Sequence, residues 1–208
     1  MIIRTVHGSI HDMHAASQLL PLLRSPFQGE LLAWLFLHPD DEYSATELAR
    51  RFGVSQPTAS READRLVEAG LIDERRTGNL RLLRANTETV LARPLTDLLA
   101  VTFGPSAILG DLLSRVPGVD EAHIYGSWAA RYRGEPGAVP RDVDVLVVGA
   151  ADDDDLYDAA RVAERQLGRE VNIRRVAAAT WREPADDPFL ASVRSRPTVP
   201  LDLGSAPA

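Results

Sequence analysis

Asp142 and Asp144 stand one residue apart at the head of the apolar run Val145-Leu146-Val147-Val148. Upstream, Gly126-Ser127 closes another apolar stretch, His123-Ile124-Tyr125. On a strand, residues i and i+2 face the same way, so the two carboxylates project side by side. That arrangement is costly unless a cation lies between them. Gly-Ser at a strand end lets backbone approach a phosphate, with the N–H groups of the following helix aimed at the anion. The chemistry these residues suit is a Mg2+ site in which the metal bridges polyphosphate oxygens and takes up their charge.

These residues need a scaffold of short strands and helices. The pattern predicts a helix over Pro105–Val116, a strand over Val119–Tyr125 and a helix over Trp128–Tyr132. An Arg-rich loop, Arg131–Arg141, leads to a strand over Val143–Val148. A helix over Asp152–Leu167 follows, with acids at its start as the helix dipole favours, then a strand from Glu170 through Ile173. Pro188–Val193 reads as a last helix and Thr198–Leu201 as a last strand. Arg131, Arg133 and Arg141 are either phosphate contacts or solvent-exposed loop residues, while Trp128 and Trp181 read as packing residues.

Tyr125-Gly126-Ser127 followed by Asp142-Val143-Asp144-Val145, in strand, helix, strand order, resembles the nucleotidyltransferase superfamily that includes DNA polymerase β, kanamycin nucleotidyltransferase and the minimal nucleotidyltransferases. The resemblance covers roughly the C-terminal half. It implies that Gly126 and Ser127 bind nucleotide phosphates and that Asp142 and Asp144 are the catalytic carboxylates that ligate magnesium. The stretch from Ser127 to Asp142 is slightly long for the family. The main departure is at the third carboxylate, where active members carry Asp or Glu and this chain has Asn172 within Val171-Asn172-Ile173. An amide does not act as a base at neutral pH. Glu170 shares the strand parity of Asn172 and is the remaining acid for that face.

The N-terminal half has a different pattern. Pro26–His38 reads as a buried helix, apolar on most sides. Ser44-Ala45-Thr46-Glu47 has capping-box spacing and opens a short helix through Phe52, with Gly53 in the turn. Ser55 suits the N-cap of the next helix and Pro57 its first turn. Ala59, Ala63, Leu66 and Val67 line one face, and Thr58, Arg61 and Arg65 point the other way. Leu71–Arg76 and Leu80–Leu83 flank Thr77-Gly78-Asn79 as a hairpin. The stretch from Thr46 to Arg61, ending in Leu66-Val67-Glu68-Ala69-Gly70-Leu71-Ile72, resembles the winged helix-turn-helix of the ArsR and MarR groups of bacterial regulators. The resemblance covers about a third of the chain. Gln56, Thr58, Arg61 and Arg65 would then address the major groove of double-stranded DNA. Arg75, Arg76 and Arg81 on the hairpin would touch phosphates or the minor groove.

Thr87–Thr102 reads as an amphipathic connecting helix, with Pro94 near its first turns or kinking it. It is expected to pack between domains or against a second subunit, a homodimer being favoured because such regulators read two half-sites. Residues 1 to about 20 lack periodicity. His7, His11 and His14 share helical spacing there, but a tail or packing arm is the expected reading rather than a metal site.

Composition narrows the function classes. All 23 basic residues are Arg, against 30 acids and a net charge of -7, which argues against a protein coated in nucleic acid. From Ser44 to Arg84, eight Arg face six acids, so the mildly basic segment coincides with the candidate DNA face. The absence of Cys excludes disulfides and thiolate metal sites and fits a reducing cytoplasm. No run of about 18 apolar residues occurs, so no membrane span is expected. The expected fold is α+β: a winged helix-turn-helix over 20–86, a connecting helix over 87–104 and a nucleotidyltransferase-fold domain with a small mixed sheet over 105–208. The expected function is a cytoplasmic DNA-binding transcription regulator whose second domain binds nucleotide and Mg2+. The alternative is an active Mg2+-dependent nucleotidyltransferase moving an NMP group onto a protein, RNA or small molecule.

Overall fold

The computed structural model describes residues 23–184 and 187–204. The histidine spacing of the N-terminal segment lies outside the described residues. Helix α1 (Pro26–Leu37) starts at an N-cap, Ser25, whose side chain accepts from the Gln28 N–H, and it buries Leu31, Leu32, Leu35 and Phe36. A two-residue strand β1 (Tyr43–Ser44) precedes α2 (Ala45–Phe52). The capping box is complete: Ser44 N–H donates to Glu47 Oε2 at 2.8 Å and Glu47 N–H to Ser44 Oγ at 3.2 Å. Gly53 ends α2 at φ 64°, a left-handed conformation that favours glycine. Helix α3 (Gln56–Glu68) buries Ala59, Ala63 and Leu66. Strands β2 (Ile72–Thr77) and β3 (Leu80–Ala85) pair antiparallel from Ile72 with Ala85 to Thr77 with Leu80, which leaves Gly78-Asn79 as a two-residue turn. With β1 they form a sheet of order β1-β3-β2.

The connecting helix α4 runs over Ala92–Phe103, later than the expected start at Thr87. Local bonds hold the preceding residues in turns: Glu88 N–H donates to Asn86 Oδ1 and Leu91 N–H to Thr89 Oγ1. Helix α4 serves two cores. Its Leu99 packs with Phe36, Leu48 and Leu83, whereas its neighbour Ala100 packs with Leu109, Ile124 and Trp128.

The second half begins with α5 (Pro105–Leu113), β4 (Val119–Tyr125), α6 (Gly126–Tyr132) and β5 (Asp142–Gly149). It continues with α7 (Asp153–Leu167), β6 (Glu170–Val176), α8 (Ala178–Arg182), α9 (Pro188–Arg194) and β7 (Val199–Pro200). The sheet is mixed, in the order β6-β5-β4-β7: β5 and β6 are parallel with α7 as the crossover, and β4 is antiparallel to β5 and to β7. One face carries Val143, Val145, Val147 and Val171 onto α5, α6 and α7 around the buried Trp128. The other face is half covered, by Leu190 and Val193 of α9 over Leu146. Strand β1 and helix α8, two and five residues long, are too short for periodicity to mark and were not expected from sequence.

Residues Ala92–Leu113, α4 followed by α5, are one stretch long and apolar enough by composition to cross a membrane. Its apolar character has a structural use here. Ala92, Leu99, Ala100, Leu109 and Leu113 are buried in the two cores, and Gly104 breaks the helix with extended backbone at φ -85°, ψ -168°.

Candidate DNA-reading face and carboxylate site

Helix α3 is aimed by its cap. Ser55 Oγ accepts from the Thr58 N–H and lies 2.8 Å from the Thr58 hydroxyl, so that hydroxyl is engaged in capping. Gln56, Arg61 and Arg65 are exposed on the face opposite Ala59 and Ala63. Arg65 pairs with Glu62 at 3.1 Å, and the buried Glu62 also accepts from Gln28 at 2.8 Å. On the hairpin, Arg75 forks onto Glu42 at 3.1 and 2.5 Å. Arg81 bridges Asp64 of α3 at 2.5 Å and Glu74 at 2.7 Å, so it ties the wing to the helix. Among the described residues, Arg61 and Arg76 have no ion-pair partner and are exposed. The arginines of α3 and the hairpin therefore divide into a positioning set and a free pair, a distinction that charge counting does not reveal.

Register builds the second site. Asp142 lies across from Glu170, and Asp144 from Asn172, on the parallel strands β5 and β6; Tyr125 of β4 lies across from Asp144 on the other side. All five residues share the half-covered face, since Val143, Val145 and Val171 point into the core. Gly126 adopts φ 70°, and a Cβ there would meet Asp144 Oδ2 at 2.8 Å. Glycine thus allows both the turn and the close approach of the chain to this carboxylate. Ser127, the second residue of α6, is exposed. Burial pushes the Asp144 carboxyl above its usual range; the Asp142 and Glu170 charges push the same way, and a hydrogen bond from the Asn172 side chain opposes them. The Tyr125 phenol is raised by burial and by Asp144, with Arg174 acting against.

Beside this row stands an aromatic wall. The Tyr125 and Phe189 rings meet edge to face at 5.6 Å, and the Arg174 guanidinium lies 3.7 Å above the Phe189 ring. Of the loop arginines, Arg131 pairs with Asp97 at 2.9 Å and Arg133 donates to the Thr198 carbonyl at 3.2 Å. Arg141 is exposed. Among the described residues no set of three or more His, Cys, Asp or Glu side chains converges to hold a metal on protein ligands alone.

The two halves meet at a cationic joint. Arg51, at the end of α2, lies 3.1 Å over the Trp34 ring and donates to the Arg165 and Gln166 carbonyls at the end of α7, at 3.0 and 2.9 Å. The last carbonyls of a helix carry partial negative charge, so they suit this cation. Its burial still pushes the Arg51 pKa down to about 10. Arg169, just before β6, donates to the Pro140 carbonyl at 2.6 Å and to the Leu37 carbonyl of α1. A cavity of about 610 Å3 opens between the halves, walled by Trp34, Phe52, Phe103, Ile108 and Leu167, away from the carboxylates. The roles of Arg51, Arg169 and Arg174 were missed from sequence, where each is one arginine among many.

Residues 23–79 match the sequence profile of the MarR family. The N-terminal region thus carries a MarR-family winged-helix DNA-binding domain. No curated protein matches the chain. Among solved structures, reduced HlyU from Vibrio cholerae is 22% identical with a TM-score of 0.35, covering 42% of this chain and 86% of that one. The transcriptional repressor BigR from Xylella fastidiosa is 29% identical with a TM-score of 0.34, covering 40% and 78%. MepR, a transcription regulator of a Staphylococcus aureus multidrug efflux pump, is 21% identical with a TM-score of 0.36, covering 44% and 67%.

Proposed function

We propose that the protein is a cytoplasmic transcription regulator whose winged helix reads DNA and whose C-terminal sheet binds a nucleotide with Mg2+ in a nucleotidyltransferase-like pocket. The observation that carries the second half of this reading is the shared row of Asp142, Asp144 and Asn172, with Gly126 pressed against Asp144. Two carboxylates and an amide give hard oxygen donors. They are too few to cage a metal, but Mg2+ commonly keeps its waters and shares one or two carboxylates with substrate phosphates. The ion supplies charge neutralisation for the phosphates; the chain supplies the donors, the close glycine and the wall. A cation there would also relieve the repulsion between Asp142 and Asp144.

The DNA half rests on Gln56, Arg61 and Arg76 as the free groups of the basic face, with Thr58, Arg65, Arg75 and Arg81 shaping it. Leu91, Leu98 and Val101 form an exposed apolar stripe on and beside α4, spaced to line one helical side. The stripe supports a homodimer presenting two winged helices to two half-sites.

A thermal-shift screen of the four NTPs, each with and without MgCl2, tests the pocket. Ligand that binds the folded state raises the melting temperature. A rise requiring both Mg2+ and an NTP, lost in Asp142→Asn, is expected; no response to any NTP refutes the pocket.

A second reading, an active nucleotidyltransferase, is favoured by one observation: Glu170 lies in register with Asp142 on the site's face. Glu170 would take the proton of an acceptor hydroxyl as its oxygen attacks the α-phosphorus and pyrophosphate leaves. Labelled NTP consumed by the wild type but not by Glu170→Gln supports the enzyme. Turnover gained only by Asn172→Asp supports the binder.

A further inference from the structure

The pocket proposed above gathers acids at Asp142, Asp144 and Glu170, and a polyphosphate also needs a cation nearby. A nucleotide triphosphate stays anionic after one Mg2+ binds, so a protein cation close to the acids is required. Several nearby arginines are engaged. Arg131 is taken by Asp97, Arg133 by the Thr198 carbonyl, Arg175 by Asp153 and Arg194 by the Trp181 carbonyl, and Arg169 is bound into the joint. Arg174 differs from all of these. It follows Asn172 on the same face of β6, about 7 Å farther along the strand. It is exposed and has no carboxylate partner among the described residues. Its guanidinium plane is laid on Phe189, which also touches Tyr125, the neighbour of Asp144. Stacking fixes the fork's direction while leaving its N–H groups free, so little side-chain entropy remains to be lost on binding. Arg141 is also unpaired among the described residues but lacks such a support there.

The geometry points to Arg174 as the phosphate-binding residue of this site, its guanidinium held by Phe189 so as to grip the polyphosphate of a nucleotide whose metal sits on Asp142 and Asp144. This rests on the nucleotide–Mg2+ reading of the pocket and adds to it the residue that fixes the ligand class, a polyphosphate rather than a free divalent cation or a nucleoside. Phe189 is the positioning residue, acting through Arg174. Arg174→Met keeps an unbranched side chain of similar length beside the Phe189 ring while removing the charge.

Calorimetric titration of the full chain with Mg2+ plus ATP, GTP, CTP or UTP, and with magnesium tripolyphosphate as a base-free probe, tests it. For every probe the wild type binds, Arg174→Met is expected to weaken affinity about ten- to a hundredfold, the size of a lost charge-assisted hydrogen bond. Arg174→Lys, which keeps the charge without the fork, and Phe189→Leu, which keeps the fork without its support, are expected to lose less. Magnesium tripolyphosphate should show the same dependence on Arg174 as the NTPs. Wild-type affinity in both Arg174→Met and Arg174→Lys, while Asp142→Asn weakens binding, overturns the role of Arg174 and leaves the pocket standing. Failure of the wild type to bind any probe overturns both.

Discussion

The two halves of the molecule treat charge in opposite ways. On the winged helix, acids and arginines alternate and pair: Arg65 with Glu62, Arg75 with Glu42, Arg81 with Asp64 and Glu74, Arg84 with Asp73. The face is shaped by these pairs, and its exposed free cations face solvent at little cost. On the sheet, Asp142, Asp144 and Glu170 share one face with no arginine paired to them among the described residues, and burial, then the charges of Asp142 and Glu170, raise the Asp144 carboxyl. Groups left in conflict by the fold are a common mark of a site that a ligand completes. Groups that satisfy each other serve architecture, and only the remainder is free for DNA. The same test therefore picks Arg61 and Arg76 in one half and Asp142 and Asp144 in the other.

The largest expected effect concerns whether the halves stand apart. Trp128 is 1% exposed and lies in the sheet half's core. Trp128→Ala should cost about 3–5 kcal/mol, read by urea denaturation. If the cores are separable, the sheet half unfolds first and the winged helix retains its transition. A single cooperative transition at lower urea would instead show that α4, which packs into both cores, makes them one unit. Next in size is the joint. Arg51→Ala removes two hydrogen bonds from a charged donor and the stacking on Trp34, and should cost about 1.5–3 kcal/mol by the same measurement. Arg51→Lys should recover only part of this, because an ammonium does not fork across two carbonyls.

Much of the architecture was legible in local patterns. Ser44 and Glu47, Ser55, Gly53 and Gly78 mark helix starts, a helix end and a turn through their own backbone chemistry, so the winged helix could be laid out residue by residue. The strand of Asp142 was readable because both its core-facing and outward residues beyond the acids are apolar, as a central strand requires. Pairing partners were not readable. Which arginine meets which acid depends on tertiary distance, so the sequence-based set of DNA contacts mixed free and committed side chains. The Arg174–Phe189 contact escaped notice for the same reason, since Phe189 comes near Arg174 only after α9 folds over the sheet. The late start of α4 reflects side-chain bonds from Asn86 and Thr89 that compete with the helix.

The division among the arginines is sharpened by a matched pair. Arg61→Ala should weaken binding to a selected DNA duplex by about 1–3 kcal/mol if the side chain reads a base, with little change in thermal stability. Arg81→Ala should instead loosen the wing from α3. Its loss of DNA affinity should come with a lower melting temperature and be matched by Asp64→Ala, which breaks the same bridge. Equal DNA effects for Arg61 and Arg81 at unchanged stability would erase the distinction between free and positioning cations.

The smallest expected effect tests the frustrated half directly. Asp144 has a folded-state pKa raised above its unfolded value, chiefly by burial and then by Asp142. In the window between those two values the folded state binds more protons than the unfolded one, so stability falls as pH rises through it. Above the window the charged pair costs stability until a cation arrives. In metal-free buffer at neutral pH, Asp144→Asn should therefore raise the melting temperature, by about 1–2 °C for a partly exposed group. The advantage should vanish at a pH below the window. Added Mg2+ with a bound NTP should reverse the order, since only the wild type keeps the carboxylate. A destabilised Asp144→Asn in metal-free buffer would mean that Asn172 and the local backbone already satisfy the carboxylate. The sheet half would then resemble the winged helix in having its charges settled by the protein itself.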